Sequence, residues 1–307
     1  MTLSKDSLTL SWTNPQTVSG YEISFGTDQN LSDAQTVSVS PSEIQKNETT
    51  GQETYQIPNL TVGSTYYFKV RCFCGTDVYS EWSDVFSGKV TQAVDMTGID
   101  INKPMVALTF DDGPDKGDYT NRILDVLKAN GSHATFFQLG HLAEIYPDVV
   151  QRIVNEGSEI GCHTYDHGHM GNEVTSEDII RANDAIEKAC GVRPTSFRCP
   201  GGSLTDLIRS VCESEGQPIF HWSVDTRDWA SRDADAVMSE VENQGVNDGD
   251  IILLHNIYES SAAATERLVP WLINQGFQVV SASQLIQAKS GAPAVPGTQY
   301  FSATNFN

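Results

Sequence analysis

The hydrophobic pattern of this chain changes period once, at residues 95–103, and that change limits the folds open to it more than any other feature. Before it, apolar and aromatic residues fall in short runs at 8–12, 21–25, 36–39, 54–57, 65–73 and 85–90, split by turn formers, as in a small β-sandwich. After it, β-branched runs at 105–110, 134–138, 159–162, 196–198, 219–224, 251–255 and 277–280 alternate with stretches of helical period. Those stretches lie at 147–156, 176–189, 205–215, 234–244 and 262–274, with Gly191 as a helix stop. Such alternation predicts parallel strands covered by helices, and seven strands predict a barrel one short of the usual eight. The expected layout is multidomain: an all-β immunoglobulin-like sandwich over 1–94, a linker over 95–103, an α/β distorted (β/α)7 barrel over 104–289, and a linker and tail over 290–307 in which Tyr300-Phe301 could dock back on the barrel.

Charge and apolar runs exclude two classes of partner. The formal charge of −21 is shared by both parts of the chain and leaves no basic patch, so nucleic acid is not an expected partner; a cationic polymer would be attracted. No run approaches the roughly 18–20 apolar residues of a membrane span, so no membrane insertion is expected. The first residues lack the pattern of a signal peptide, so any export signal is expected outside this sequence. Six cysteines are scattered rather than spaced as a disulfide framework. Cys72 and Cys74, two apart on one strand, are poorly spaced for bridging, whereas Cys190 and Cys212 could pair or stay buried thiols.

The apolar run Met105-Val106-Ala107-Leu108 ends on Thr109-Phe110-Asp111-Asp112-Gly113-Pro114, which sets two adjacent carboxylates at the end of a buried strand. Burying both charges is costly unless one binds a cation and the other does proton chemistry. About fifty residues on, His163-Thr164-Tyr165-Asp166-His167 offers two imidazoles, and two His with one carboxylate suit a divalent metal that keeps an open position. Further polar clusters follow other strands: Arg198-Cys199-Pro200-Gly201-Gly202, Asp225-Thr226-Arg227-Asp228-Trp229, and Leu253-Leu254-His255. All fall at C-terminal strand ends, the face on which parallel barrels build their sites.

These five motifs, in this order, resemble the polysaccharide deacetylases of the NodB-homology type, the fourth carbohydrate esterase family, over residues 100–290. The N-terminal ninety residues resemble a fibronectin type III module whose first strand is shortened or missing. Trp12, Tyr21, Leu60, the strand from Tyr66 and Ser80-Glu81-Trp82-Ser83 carry that likeness. The deacetylase resemblance implies that Asp112, His163 and His167 hold one divalent metal, zinc first, with cobalt, nickel or iron also compatible. It implies Asp111 as catalytic base, His255 as general acid, Arg198 as the residue orienting the base, and Asp228 as the one orienting the acid, with Asp225 a nearby rival. Gly201 would offer its amide to the oxyanion, and Trp229 and Leu253 would shape the acyl pocket. Two departures stand out: Gly201 replaces the usual aromatic, removing a wall of the substrate groove, and Cys199 sets a thiol close to the metal. His133, His141, His169 and His221 have no motif partner and are read as structural or surface residues.

The function this implies is metal-dependent removal of N-acetyl groups from N-acetylglucosamine-containing polysaccharide, either peptidoglycan or a chitin-like polymer. The setting would be bacterial and extracellular or cell-surface, and the protein a monomer whose partner is the acetylated polysaccharide. An O-acetyl esterase acting on acetylxylan would use the same residues. An inactive carbohydrate-binding or adhesion protein is the reading from another class, against which the full set of ligands, base and acid argues. The sandwich is read as a spacer or weak interaction module.

Overall fold

Period-two alternation builds the N-terminal unit, Met1–Ala93. The structure, a computed structural model, describes residues 8–13, 18–46, 52–61, 64–75, 77–90 and 94–306. Leu8–Thr13, Gln52–Ile57 and Gln45–Lys46 form one antiparallel sheet. Gln35–Val39, Gly20–Gly26, Thr65–Cys74, Val78–Tyr79 and Phe86–Lys89 form the other. Alternate residues Ile23 and Phe25 turn inward, where they meet Leu10, Ile57 and Phe68 in one apolar core. At its edge Glu53 is buried, and the Trp12 indole, at 3.2 Å, and the Tyr21 hydroxyl both donate to its carboxylate. The Arg71 guanidinium lies between the rings of Tyr79 and Trp82, 4.2 and 4.5 Å from their centroids, so a cation already covers these two aromatic faces. The shortened or missing first strand falls outside the described residues.

In the second unit, Val94–Asn307, the first strand Met105–Asp111 is buried along its whole length. Its pairing can be followed round a closed circuit. It pairs in parallel with Thr135–Gln138, and that strand with Glu159–Cys162. Single bridges through Phe197 lead to Ile219–Phe220, which pairs in parallel with Gln299–Ser302. A bridge from Ser302 to Asp250 returns the circuit to Ile251–His255, which pairs again with Met105–Asp111. Gln278–Val280 pairs with the lower half of the first strand, and Val224–Asp225 with Ile251–His255.

Alternation then sorts the first strand's side chains. Val106, Leu108 and Phe110 join the cluster shared with the helices, while Met105 and Ala107 join a separate one with Phe137, Phe220, Ile251 and Tyr300. Asp111, in phase with Met105 and Ala107, therefore points into the barrel at its C-terminal mouth.

Several expectations need correction. The stretch 196–198 is reduced to two isolated bridges at Phe197, and 219–224 is interrupted between Ile219–Phe220 and Val224–Asp225. The tail supplies a stave of the barrel: the His221 amide donates to Tyr300 O at 2.8 Å and the Ala303 amide to Gly249 O at 2.8 Å, satisfying backbone groups on both sides of the gap. Residues 95–103 are tied to the second unit, for Gln284 donates to Asp95 O, Gln278 to Asp100 O, and Ile99 packs on the inner cluster. Helices Asp118–Ala129, Gly140–Ile145 and Ala282–Ser290 join those expected. Cys190 and Cys212 are buried thiols with no bridge between them. Cys199 is likewise buried in the helix-side cluster and is not one of the side chains gathered as candidate metal ligands; burial pushes its thiol up to about 12.

Candidate active site

The adjacent carboxylates separate because the chain turns between them. Asp111 ends the strand and is 3 % exposed, while Asp112 takes a left-handed φ of 70° and leaves the sheet. A side chain at Gly113 would strike Asn256, whose own amide donates to Thr120 Oγ1 at 2.9 Å, so only glycine lets this turn close.

Arg198 is fully buried with every nitrogen engaged. Nη1 donates to Asp111 Oδ1 at 2.9 Å and to Thr109 Oγ1 at 2.7 Å, Nε to Phe220 O at 3.0 Å, and Nη2 to His221 O at 2.7 Å. Its guanidinium also lies 4.4 Å over the Phe137 ring. Burial pushes the Asp111 carboxyl above its usual range, against the pull of Arg198. Arg198→Leu is expected to destabilise the fold by about 3–5 kcal/mol in urea unfolding at neutral pH, the usual cost of stranding one partner of a buried pair. A loss below about 1 kcal/mol, the scale of an exposed pair, would contradict this account.

Asp112, His163 and His167 form the one group of ligand-type side chains found together among the described residues, each offering an atom within 4.8 Å of the others. His163 donates from Nδ1 to Arg198 O at 2.8 Å, which leaves the Nε2 lone pair facing Asp112 Oδ1 at 3.5 Å. Burial holds this imidazole neutral, with its pKa lowered to about 3. His167 Nε2 stands 3.9 Å from the same oxygen. That oxygen is buried and has no hydrogen-bond partner. The His163 lone pair turned toward an unpartnered carboxylate oxygen is repelled unless a cation lies between them, and His167 Nε2 approaches the same oxygen. Ligands at ~2.1 Å around a tetrahedral ion sit ~3.4 Å apart, close to the separations here. The donor set therefore fits a divalent ion.

His255 ends Ile251–His255 beside this group, with Nε2 4.0 Å from Asp112 Oδ2. Its Nδ1 lies 2.8 Å from Asp228 Oδ1, and its backbone amide donates to Asp228 Oδ2 at 2.7 Å. Of Asp225 and Asp228, it is the fully buried Asp228 that faces the imidazole, whereas Asp225 Oδ1 accepts from the Arg227 amide. Asp228 further accepts from the Trp229 amide at 2.8 Å and from Ser261 Oγ at 2.5 Å. Sequence reading missed Ser261, and no motif marks it. Burial pulls the His255 pKa down, but the bond to Asp228 and the nearby carboxylates more than offset this, so it stands above 6.5.

Among the pocket candidates, Leu253 is buried and pairs with Thr109, two residues below His255. Trp229 is 47 % exposed, and Gly201 has a left-handed φ of 61°. His133 and His221 are half-buried and His141 Nδ1 donates to Tyr165 O at 2.8 Å, all outside the ligand group. His169 is exposed and pairs with Asp178.

Residues 98–219 match the polysaccharide deacetylase family, and residues 1–89 match the fibronectin type III domain. The peptidoglycan-N-acetylmuramic acid deacetylase PdaC of Bacillus subtilis is 40 % identical over 194 residues, covering 62 % of this chain and 40 % of that protein. The chain thus spans about two fifths of that relative's length. The solved PdaC structure is 38 % identical with a TM-score of 0.59, over 63 % of this chain and 95 % of that one. An acetyl xylan esterase of Clostridium thermocellum, solved with a cobalt ion, is 31 % identical with a TM-score of 0.58, over 64 % and 98 % of the two chains. A family pseudoenzyme of Bacillus anthracis is 28 % identical with a TM-score of 0.55, over 61 % and 66 %. The chain belongs to the polysaccharide deacetylase family, its deacetylase domain preceded by a fibronectin type III domain.

Proposed function

We propose that this protein removes N-acetyl groups from N-acetylglucosamine-containing polysaccharide, with peptidoglycan or a chitin-like polymer as substrate. The observation that carries this reading is the unpartnered Asp112 oxygen facing two imidazoles, flanked by the Asp111–Arg198 and His255–Asp228 pairs. Asp112, His163 and His167 would hold one divalent ion, zinc first, which when bound lowers the pKa of a coordinated water to ~7 and polarises the scissile carbonyl. Asp111, held by Arg198, accepts the proton of the attacking water. His255, held by Asp228, protonates the leaving amine nitrogen. The Gly201 amide donates to the oxyanion, while Trp229 and Leu253 bound the space for the acetyl methyl.

The test is acetate release from chitooligosaccharide, peptidoglycan and acetylated xylan, each with and without added zinc or cobalt. Release from the first two, abolished by chelation and restored by metal, is the expected result. Release from xylan alone would favour an O-acetyl esterase, a reading supported by the likeness to the acetyl xylan esterase. Release from none would favour an inactive binding protein, as the likeness to a pseudoenzyme allows. Metal analysis is expected to return about one ion per chain, lost in Asp112→Ala. An Asp112→Ala protein that keeps its ion would refute the ligand set.

The protein would act as a monomer outside the cell or at its surface, because its proposed substrate is a wall or extracellular polymer. No helix among the described residues is long and apolar enough to cross a membrane. The sandwich would serve as a spacer or weak interaction module.

A further inference from the structure

We propose that Met170 forms the wall of the glycan groove that a side chain at position 201 would otherwise supply, so that a thioether edge contacts the sugar. The inference rests on the polysaccharide reading above. Gly201 has a left-handed φ of 61°, and a Cβ built there would lie 3.1 Å from Met170 Sδ. Met170 therefore fills the space toward which a side chain at 201 would point. Its backbone is extended, with φ −135° and ψ 148°, and it enters the turn Gly171–Glu173. That turn packs beside Pro200–Gly202, where a Cβ at Gly171 would lie 3.5 Å from Ser203 Cβ.

Both neighbours of this contact lead to the candidate site. Met170 follows the metal-ligand candidate His167 by three residues, and Gly201 follows by three the arginine that grips Asp111, so each is tied by a short stretch of chain to the candidate site. Although apolar, Met170 is 54 % exposed. A single exposed apolar residue is unremarkable, but this one is seated on Gly201. Methionine is unbranched, with a polarisable sulfur on a flexible chain. A wall of this kind can lie flat against an unsubstituted sugar ring or move aside for a substituent that a rigid aromatic would meet.

The test compares the metal-loaded full chain with its Met170→Ala and Met170→Leu variants. Binding of the N-acetylglucosamine tetramer is measured by calorimetry in an Asp111→Asn background, so that turnover does not intrude. Hydrolysis of a small aryl acetate, which does not fill the groove, is measured with Asp111 intact. Met170→Ala is expected to weaken tetramer binding ~5-fold while kcat/KM on the aryl acetate stays within about twofold, and Met170→Leu is expected to retain most of the affinity. Unchanged tetramer affinity in Met170→Ala overturns the inference. So does an equal loss on both substrates, which would make Met170 a support for the histidine loop, and so does a wild-type site that does not bind the tetramer. A tetramer that binds through Met170 but releases no acetate overturns the deacetylase reading and leaves the groove wall standing.

Discussion

Asp111→Asn is expected to lower acetate release by at least ~100-fold while the metal content stays near one ion per chain. The substitution keeps the shape of the side chain and its bond from Arg198 but removes the group that accepts a proton. The backbone turn after Asp111 is what separates the two outcomes. Asp111 stays inside the barrel, with one oxygen held by Arg198 and the other 3.7 Å from His163 Nε2, whereas Asp112 swings out to meet both imidazoles. Metal analysis beside steady-state kinetics checks both halves. A variant that loses its ion would show that the two carboxylates have been assigned the wrong way round.

His255→Ala is expected to cost ~10²–10⁴-fold on an amide substrate and far less on an activated aryl acetate, because a departing amine needs its proton and an acidic phenol does not. Equal losses would make His255 a ligand or a structural residue. The same histidine sets a pH dependence whose sign follows from its surroundings. As an acid it must be protonated, and its carboxylate neighbours hold its pKa above 6.5, so kcat/KM on the amide falls as pH rises through that higher value. Asp228→Asn removes the main raising influence, so the falling limb moves to lower pH. A limb that stays in place would mean that another group supplies the proton.

Much of this site is legible along the chain because each strand end carries its own short motif. Period decides which residues form strands, and the parallel barrel then gathers five C-terminal strand ends on one face. Local chemistry is legible too. Thr175 with Asp178 makes a capping box at the start of Ser176–Cys190, and Gly191, with a φ of 72°, stops that helix.

What could not be read is whatever depends on a partner distant in sequence. Ser261 lies 33 residues from Asp228, in the first turn of Glu259–Asn274, and donates to its carboxylate only because the fold brings that helix start against Asp228. The sequence points to docking of Tyr300-Phe301 on the barrel, but Gln299–Ser302, after a Pro/Gly-rich stretch and with no helix behind it, gives no sign of joining it as a strand. Its place in the barrel is set by the unpaired backbone of Ile219–Phe220, which it satisfies. Gly201 read as the loss of a wall, and the residue seated in that space lies thirty-one positions earlier, in the loop after the histidines.

By itself the sequence determined the two-part architecture, the parallel strand–helix order and the residue types gathered at the strand ends, because hydrophobic period and turn chemistry act over a few residues. The tertiary structure decided which carboxylate meets both imidazoles, which aspartate holds His255 and which side chain covers Gly201. Those outcomes rest on contacts between segments dozens of residues apart, and only closure of the barrel brings such segments within hydrogen-bonding distance.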